Sequence, residues 1–219
     1  MLCKETVSEE TMEMVHLLMK DDMLKSFYLV GGTSLALRFG HRKSIDIDLF
    51  TTEKFDRLML ENHLREKLDP DWVMQKSHGM AITKGRENID LWYYPAPIIN
   101  EPEVIDGVRM LSVEDVACMK VNSIAYGGDC PKDYIDLYYV LEKKSMSDII
   151  NAYSRKYSDL PANEHVKCLS SVEPVKDKHL ESFDKSLNWE KIEKRLKQAI
   201  LFPGDKFKAK QGRSKGKRI

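Results

Sequence analysis

Six consecutive residues, Ile45-Asp46-Ile47-Asp48-Leu49-Phe50, alternate apolar and acidic with a period of two. That period belongs to a β-strand, whose successive side chains point to opposite faces, so Ile45, Ile47 and Leu49 share one face and Asp46 and Asp48 the other. Carboxylates at i and i+2 lie roughly 7 Å apart at Cα. They can converge on a shared cation, and without one each raises the pKa of the other. Oxygen-only acidic clusters of this kind suit Mg²⁺ or Mn²⁺. Asp90 stands in a second apolar-Asp-apolar segment, Ile89-Asp90-Leu91. If the two strands are neighbours, three carboxylates meet and can hold two ions roughly 3.5–4 Å apart, the spacing used for in-line phosphoryl transfer.

A phosphate cradle is the natural complement. Phe27-Tyr28-Leu29-Val30 is a short apolar run stopped by Gly31-Gly32 and followed by Thr33-Ser34-Leu35-Ala36-Leu37-Arg38, which suits a strand, a tight turn and a helix start. Backbone N–H groups in such a turn can approach phosphate oxygens, the helix N-terminus adds its positive end, and Thr33 and Ser34 add hydroxyl donors. Taken singly, a glycine pair marks any tight turn and alternating charge marks many solvated strand faces. Their combination is what points to a phosphate-and-cation site.

The rest of the chain divides in two. A helix opens at Ser8 and carries Met12, Val15, Leu18 and Met19 in a stripe ending near Met23; a second helix is predicted over Lys54 to Leu68 and stops at Asp69-Pro70. Three strands in a meander follow, Trp72 to Lys76, Met80 to Lys84 and Asn88 to Tyr94, then a hairpin closed by Asp106-Gly107. The aromatic group Trp92, Tyr93 and Tyr94 reads as core and rim. From Ser112, a capping-box start with Asp115 three places on, the chain is predicted helical: to about Tyr126, then Asp133 to Lys143, with weaker segments near Ser147 to Tyr157, Asn163 to Leu169 and Asn188 to Leu201. The expectation is therefore an α+β protein, with a mixed-sheet core over residues 1–111, a helical half over 112–205 and a basic tail over 206–219.

Composition narrows the setting. The 35 basic and 35 acidic residues cancel overall, but residues 185–219 hold 12 Lys and Arg against 3 acidic residues, leaving a body of about −9 and an end of about +9. The tail reads either as a solubilising segment or as an electrostatic contact with RNA phosphates. No run of apolar residues is long enough for a membrane span, and the acidic first twenty residues do not suit a signal peptide. Cys3, Cys118, Cys130 and Cys168 form no CxxC pair, and the six histidines form no HxxxH or HExxH spacing. A reducing cytoplasm, without zinc chemistry, is the expected environment.

The stretch from Leu29 to Arg38 and on through Arg42-Lys43-Ser44 to Phe50 resembles the glycine-turn and DxD motif of the DNA polymerase β-like nucleotidyltransferase superfamily, and within it the AbiEii/AbiGii abortive-infection toxins of bacteria. Ala117 to Lys120 and Lys132-Asp133-Tyr134-Ile135-Asp136-Leu137-Tyr138 are similar to that family's helical Lys motif and KDxxDLY motif, so the resemblance spans about residues 26 to 141. The resemblance implies a nucleotidyltransferase fold and a magnesium- or manganese-dependent transfer of NMP from an NTP to an acceptor hydroxyl. In that scheme Gly31 and Gly32 hold the triphosphate, Asp46 and Asp48 the metal ions, and Asp90 the third carboxylate position. Lys120 faces the phosphates, and Asp136 or Asp133 completes the pocket; read without the family, Lys120 is a solvated helix residue and Asp133 a helix N-cap or first-turn residue. Where the family often has Arg-Gly, this chain has Gly127-Gly128, so a cationic contact is either lost or supplied by Arg42, Lys43 or Lys132. The implied biology is the toxin of a toxin–antitoxin pair, with a tRNA or protein acceptor and a cognate antitoxin as partners. A small-molecule acceptor, or a nucleotide- or partner-binding module without turnover, are the alternatives.

Overall fold

The computed structural model describes residues 1–207; the basic tail expected from residue 206 falls almost wholly outside them. Seven strands form one mixed sheet in the order β3-β4-β5-β2-β1-β7-β6: β1 Tyr28–Leu29, β2 Asp46–Thr51, β3 Trp72–Lys76, β4 Gly79–Lys84, β5 Glu87–Tyr93, β6 Glu103–Ile105 and β7 Val108–Met110. β3, β4 and β5 are the antiparallel meander that their alternation predicts. The β6–β7 hairpin turns through Asp106 and Gly107, both at positive φ, the geometry a two-residue turn demands. β2 is central, antiparallel to β1 and parallel to β5.

One face of the sheet is dry. Ile47, Leu49, Met80, Ile82, Ile89, Leu91 and Met110 are all buried there, against Val15 and Leu18 of helix α1 (Glu9–Met19) and Leu60, Leu64 and Leu68 of helix α3 (Arg57–Leu68). Ser8 caps α1 as expected, by accepting the Thr11 N–H. The helix stops at Met19, short of Met23, because Asp21 caps a separate 3₁₀ turn over Asp22–Leu24. Ile45 does not join the apolar face. It precedes the first paired residue of β2 and is about half exposed (54%), since no neighbouring strand covers it.

The helical half has its own core. Helices α4 (Val113–Ala125), α5 (Pro131–Val140), α6 (Met146–Lys156), α7 (Ala162–Lys167) and α8 (Trp189–Leu201) bury a second apolar cluster, to which Val30 and Leu35 contribute from the start of helix α2 (Gly31–Phe39). Ser112 caps α4 by accepting the Asp115 N–H, while the Asp115 carboxylate is engaged by other groups. It accepts the backbone N–H of Ile99 at 3.0 Å and the Lys156 ammonium at 2.8 Å, and Lys156 also donates to the Pro97 carbonyl at 2.9 Å. The Pro-interrupted segment between β5 and β6 is thereby fastened to α4 and α6. Among the described residues no helix is long and apolar enough to cross a membrane.

Removing one member of a buried ion pair leaves the other uncompensated, a loss of about 3–5 kcal/mol. Asp115→Ala should therefore lower the urea midpoint sharply, and Lys156→Met in the same chain should recover part of the loss. A midpoint unmoved by Asp115→Ala would show that this tether carries no stability.

Candidate active site

The glycine turn is shaped by what presses on it. β1 delivers the chain to Val30, whose N–H donates to the Asp48 carbonyl at 2.9 Å, and Gly31 then turns at φ +66°, where other residues are strained. A Cβ on Gly31 would stand 2.2 Å from Asp48 Oδ2, and one on Gly32 would stand 2.0 Å from Arg42 Nη2. Both glycines are required because a carboxylate and a guanidinium touch their backbones. Ser34 is the first residue of α2 whose N–H closes a helical bond, so the amides of Gly31, Gly32 and Thr33 precede the ladder and form the donor set available to an anion.

The Thr33 and Ser34 hydroxyls, expected as nucleotide donors, are buried and spent on the turn itself. Ser34 Oγ donates to the Gly31 carbonyl at 3.0 Å, and the Thr33 hydroxyl lies against Ser44 Oγ and the Asp46 carbonyl, tying α2 to the start of β2.

The parallel pairing of β2 with β5 sets Asp48 opposite Asp90 and Asp46 opposite Asn88, on the face away from the apolar core. Neighbouring strands are about 4.8 Å apart, so three carboxylates occupy adjacent positions of one sheet face. Burial pushes the Asp48 carboxyl up to about 6, and repulsion from Asp90, Asp46 and Asp133 adds to it, against the pull of Lys120. Asp46 is exposed and lies 3.4 Å from the Asn88 amide nitrogen. Asp90 is paired with the Lys76 ammonium at 2.9 Å. Among the described residues, no three carboxylate, imidazole or thiol groups already converge as a closed metal-ligand set. The donor chemistry nevertheless fits a hard divalent cation: oxygen ligands only, one of them held in a place where its negative charge is disfavoured.

Behind the turn lies a buried charge cluster. Asp136, on α5, is fully buried; Arg42 grips it through Nε at 2.7 Å and Nη2 at 2.9 Å, His41 Nε2 lies 2.7 Å from Oδ1, and Lys120 Nζ lies 3.4 Å from Oδ2. Burial opposes the Asp136 charge, but Arg42, Lys120 and the hydrogen bonds from His41 and Arg42 overcome it and hold the carboxyl far below the usual range. Lys120, on α4, also bonds Asp133 at 2.5 Å; burial works against its charge, yet Asp136 and Asp133 raise its pKa. Asp136 is thus saturated by cations, and its place in the site is to set Arg42 against Gly32 and Lys120 toward Asp48. Lys43 and Lys132 lie outside this cluster: Lys43 Nζ donates to the Glu5 carbonyl at 2.6 Å, and Lys132 pairs with Glu181 at 3.5 Å.

Two members of the site were not legible beforehand. His41 belongs to no metal-binding spacing, and Lys76 stands in a polar strand end whose pattern gives no hint of contact with Asp90 fourteen residues on.

Residues 14–90 match the family described as the nucleotidyl transferase AbiEii toxin of type IV toxin–antitoxin systems. That span holds the glycine turn and all three strand carboxylates. The uncharacterized protein aq_aa25 of Aquifex aeolicus (strain VF5) is 27% identical over 180 residues, covering 80% of this chain and 86% of its own length. Among solved structures, JHP933 from Helicobacter pylori is similar with a TM-score of 0.58 at 18% identity, covering 90% of this chain and 92% of that one. A second H. pylori structure, described as that of a "putative nucleotidyltransferase", has a TM-score of 0.55 at 17% identity, over 89% and 95% of the two chains. The fold of residues 1–207 is therefore that of these proteins.

Asp48 carries a pH signature. Its folded pKa, about 6, lies above the ordinary 3.8, so between those values the folded state binds the extra proton, and the stability that proton confers is lost as pH rises through the window. The loss amounts to about 3 kcal/mol at most. Relative to the wild type, Asp48→Asn should gain stability by about 1–3 kcal/mol between pH 4 and pH 7 in urea titrations, and Mg²⁺ should narrow the difference. Parallel pH profiles for the two proteins would contradict this account of the site.

Proposed function

We propose that this chain, whose residues 14–90 are of the AbiEii nucleotidyltransferase family, transfers a nucleoside monophosphate from an NTP to an acceptor hydroxyl and is the toxin of a toxin–antitoxin pair. The observation that carries the reading is the placement of Asp48 and Asp90 side by side on parallel strands, with the Gly31 turn pressed against the Asp48 carboxylate. Asp46, Asp48 and Asp90 would hold Mg²⁺ or Mn²⁺, which when bound supplies charge neutralisation at the triphosphate and acidifies the attacking hydroxyl.

The chain's own groups do the rest. The amides of Gly31, Gly32 and Thr33 hold triphosphate oxygens at the start of α2, and Arg42, fixed by Asp136, stiffens the loop from behind. Lys120 supplies positive charge beside Asp48, where negative charge accumulates as the α-phosphorus is attacked. Asp90 orients the acceptor hydroxyl and accepts its proton. The acceptor oxygen bonds to the α-phosphorus, the bond from that phosphorus to the bridging oxygen breaks, and pyrophosphate leaves.

For the acceptor, the reading favours RNA, with a tRNA end as the concrete case. Residues 206–219 carry seven Lys and Arg and no acidic residue, which suits sequence-blind contact with phosphates. A cognate antitoxin is the second partner, and the site of action is the cytoplasm.

Incubating the protein with each α-labelled NTP, Mg²⁺ and total tRNA should place label on RNA. Asp46→Asn and Asp48→Asn should each lower the rate about a hundred- to a thousand-fold, the scale on which removal of a positioned electrostatic group acts, while the near-ultraviolet circular dichroism stays native. Near-wild-type transfer by either variant would exclude the shared-cation mechanism. Label confined to protein or to an added small hydroxyl compound would reassign the acceptor, and NTP binding without any transfer would reduce the chain to a binding module.

A further inference from the structure

Asp90 has a partner that nucleotidyl transfer does not require. Lys76, the last residue of the edge strand β3, sends its ammonium to within 2.9 Å of Asp90 Oδ1 and 4.8 Å of the centre of the Trp92 ring. To do so the side chain passes over β4. Lys76 is registered opposite Gly79 and Gly79 opposite Trp92, while Ala81 is opposite Asp90, so the strand being crossed offers a hydrogen and a methyl where bulk would block the way. The backbone is pinned as well, because the Arg57 guanidinium donates to the Lys76 carbonyl. A carboxylate, an aromatic face, a cleared path and an anchored main chain together place one ammonium, itself only 28% exposed, on the third carboxylate of the site.

An ammonium and a divalent cation cannot both lie against the same carboxylate oxygen without strong mutual repulsion. The Trp92 ring offers the ammonium a second resting place close by, since a cation over an indole face is held even when its carboxylate is taken. We propose that Lys76 is a positioning residue that competes with divalent cations for Asp90, so that cations load in order: first at Asp46 and Asp48, then at Asp90 once the ammonium has shifted toward Trp92. This rests on the metal-dependent reading above. Its consequence is that cation binding at Asp90 is weaker than three bare carboxylates would give, and that Lys76 sets how much weaker.

The test is a Mn²⁺ titration of the full chain, following the electron paramagnetic resonance signal of free Mn²⁺, for wild type, Lys76→Met, Asp90→Asn and the double variant. Methionine keeps the stem's packing on Trp92 and removes the charge. Lys76→Met should tighten the weaker Mn²⁺ site about two- to five-fold, the scale of a partly exposed charge pair, and should add nothing once Asp90 is Asn. Superimposable isotherms for wild type and Lys76→Met would overturn the proposal. So would a gain that persists in the Asp90→Asn background, which would be a general charge effect. If wild type binds no Mn²⁺, with or without NTP, the metal-dependent reading falls and this inference with it. Binding that Asp48→Asn abolishes but Lys76→Met leaves untouched would sink the inference alone.

Discussion

A carboxylate with no exposure to water is tolerable only if cations and hydrogen bonds replace the solvent it gave up. Asp136 meets that condition by drawing His41 and Arg42 from the loop between α2 and β2, and Lys120 from α4. These contacts join the helical half to the sheet at the point where the glycine turn needs a backing. With Arg42 locked in a two-pronged grip, Gly32 has a wall; with Lys120 held between Asp133 and Asp136, a positive charge acts on Asp48. The α5 carboxylate that the resemblance assigned to the pocket lies behind the glycine turn, where it contacts His41, Arg42 and Lys120.

The chemistry proposed for the sheet face is a matter of unfavourable charge kept on purpose. Asp48 is half-buried among acidic neighbours and its proton is held to about pH 6, a cost that a purely structural strand would shed by substitution. The same strand presents Ile47 and Leu49 to the core with almost no exposure. Folding energy gained on one face thus offsets repulsion on the other, and the strain sits where a cation would relieve it.

Much of this was readable in the residue order. Period-two alternation located β2 through β5 to within a residue or two, Asp106-Gly107 announced its hairpin, and Ser8, Ser112 and Asn188 marked helix starts that their side chains do cap. What stayed hidden depends on contacts between distant segments. Nothing in the sequence states that β5 lies parallel to β2 with Asp90 opposite Asp48; that follows from a crossover through α3, β3 and β4. Lys76 and His41 escaped for the same reason: each is an ordinary polar residue until the sheet or the helical half brings a carboxylate to it. The Thr33 and Ser34 hydroxyls show the converse, since residues that look like donors to a ligand can be consumed by the turn that carries them.

The order of the pieces along the chain also bears on synthesis. The turn and first two carboxylates are made early, by residue 48, whereas Asp90, Lys120 and Asp136 emerge much later, and the crossover must close before any of them meet. A polypeptide released from the ribosome before its α5 helix would carry Arg42 and Lys120 without the carboxylate that draws them behind the glycine bend. Such a fragment has the strand carboxylates but not the joint between sheet and helical half, so the complete arrangement forms only in a chain that extends through α5.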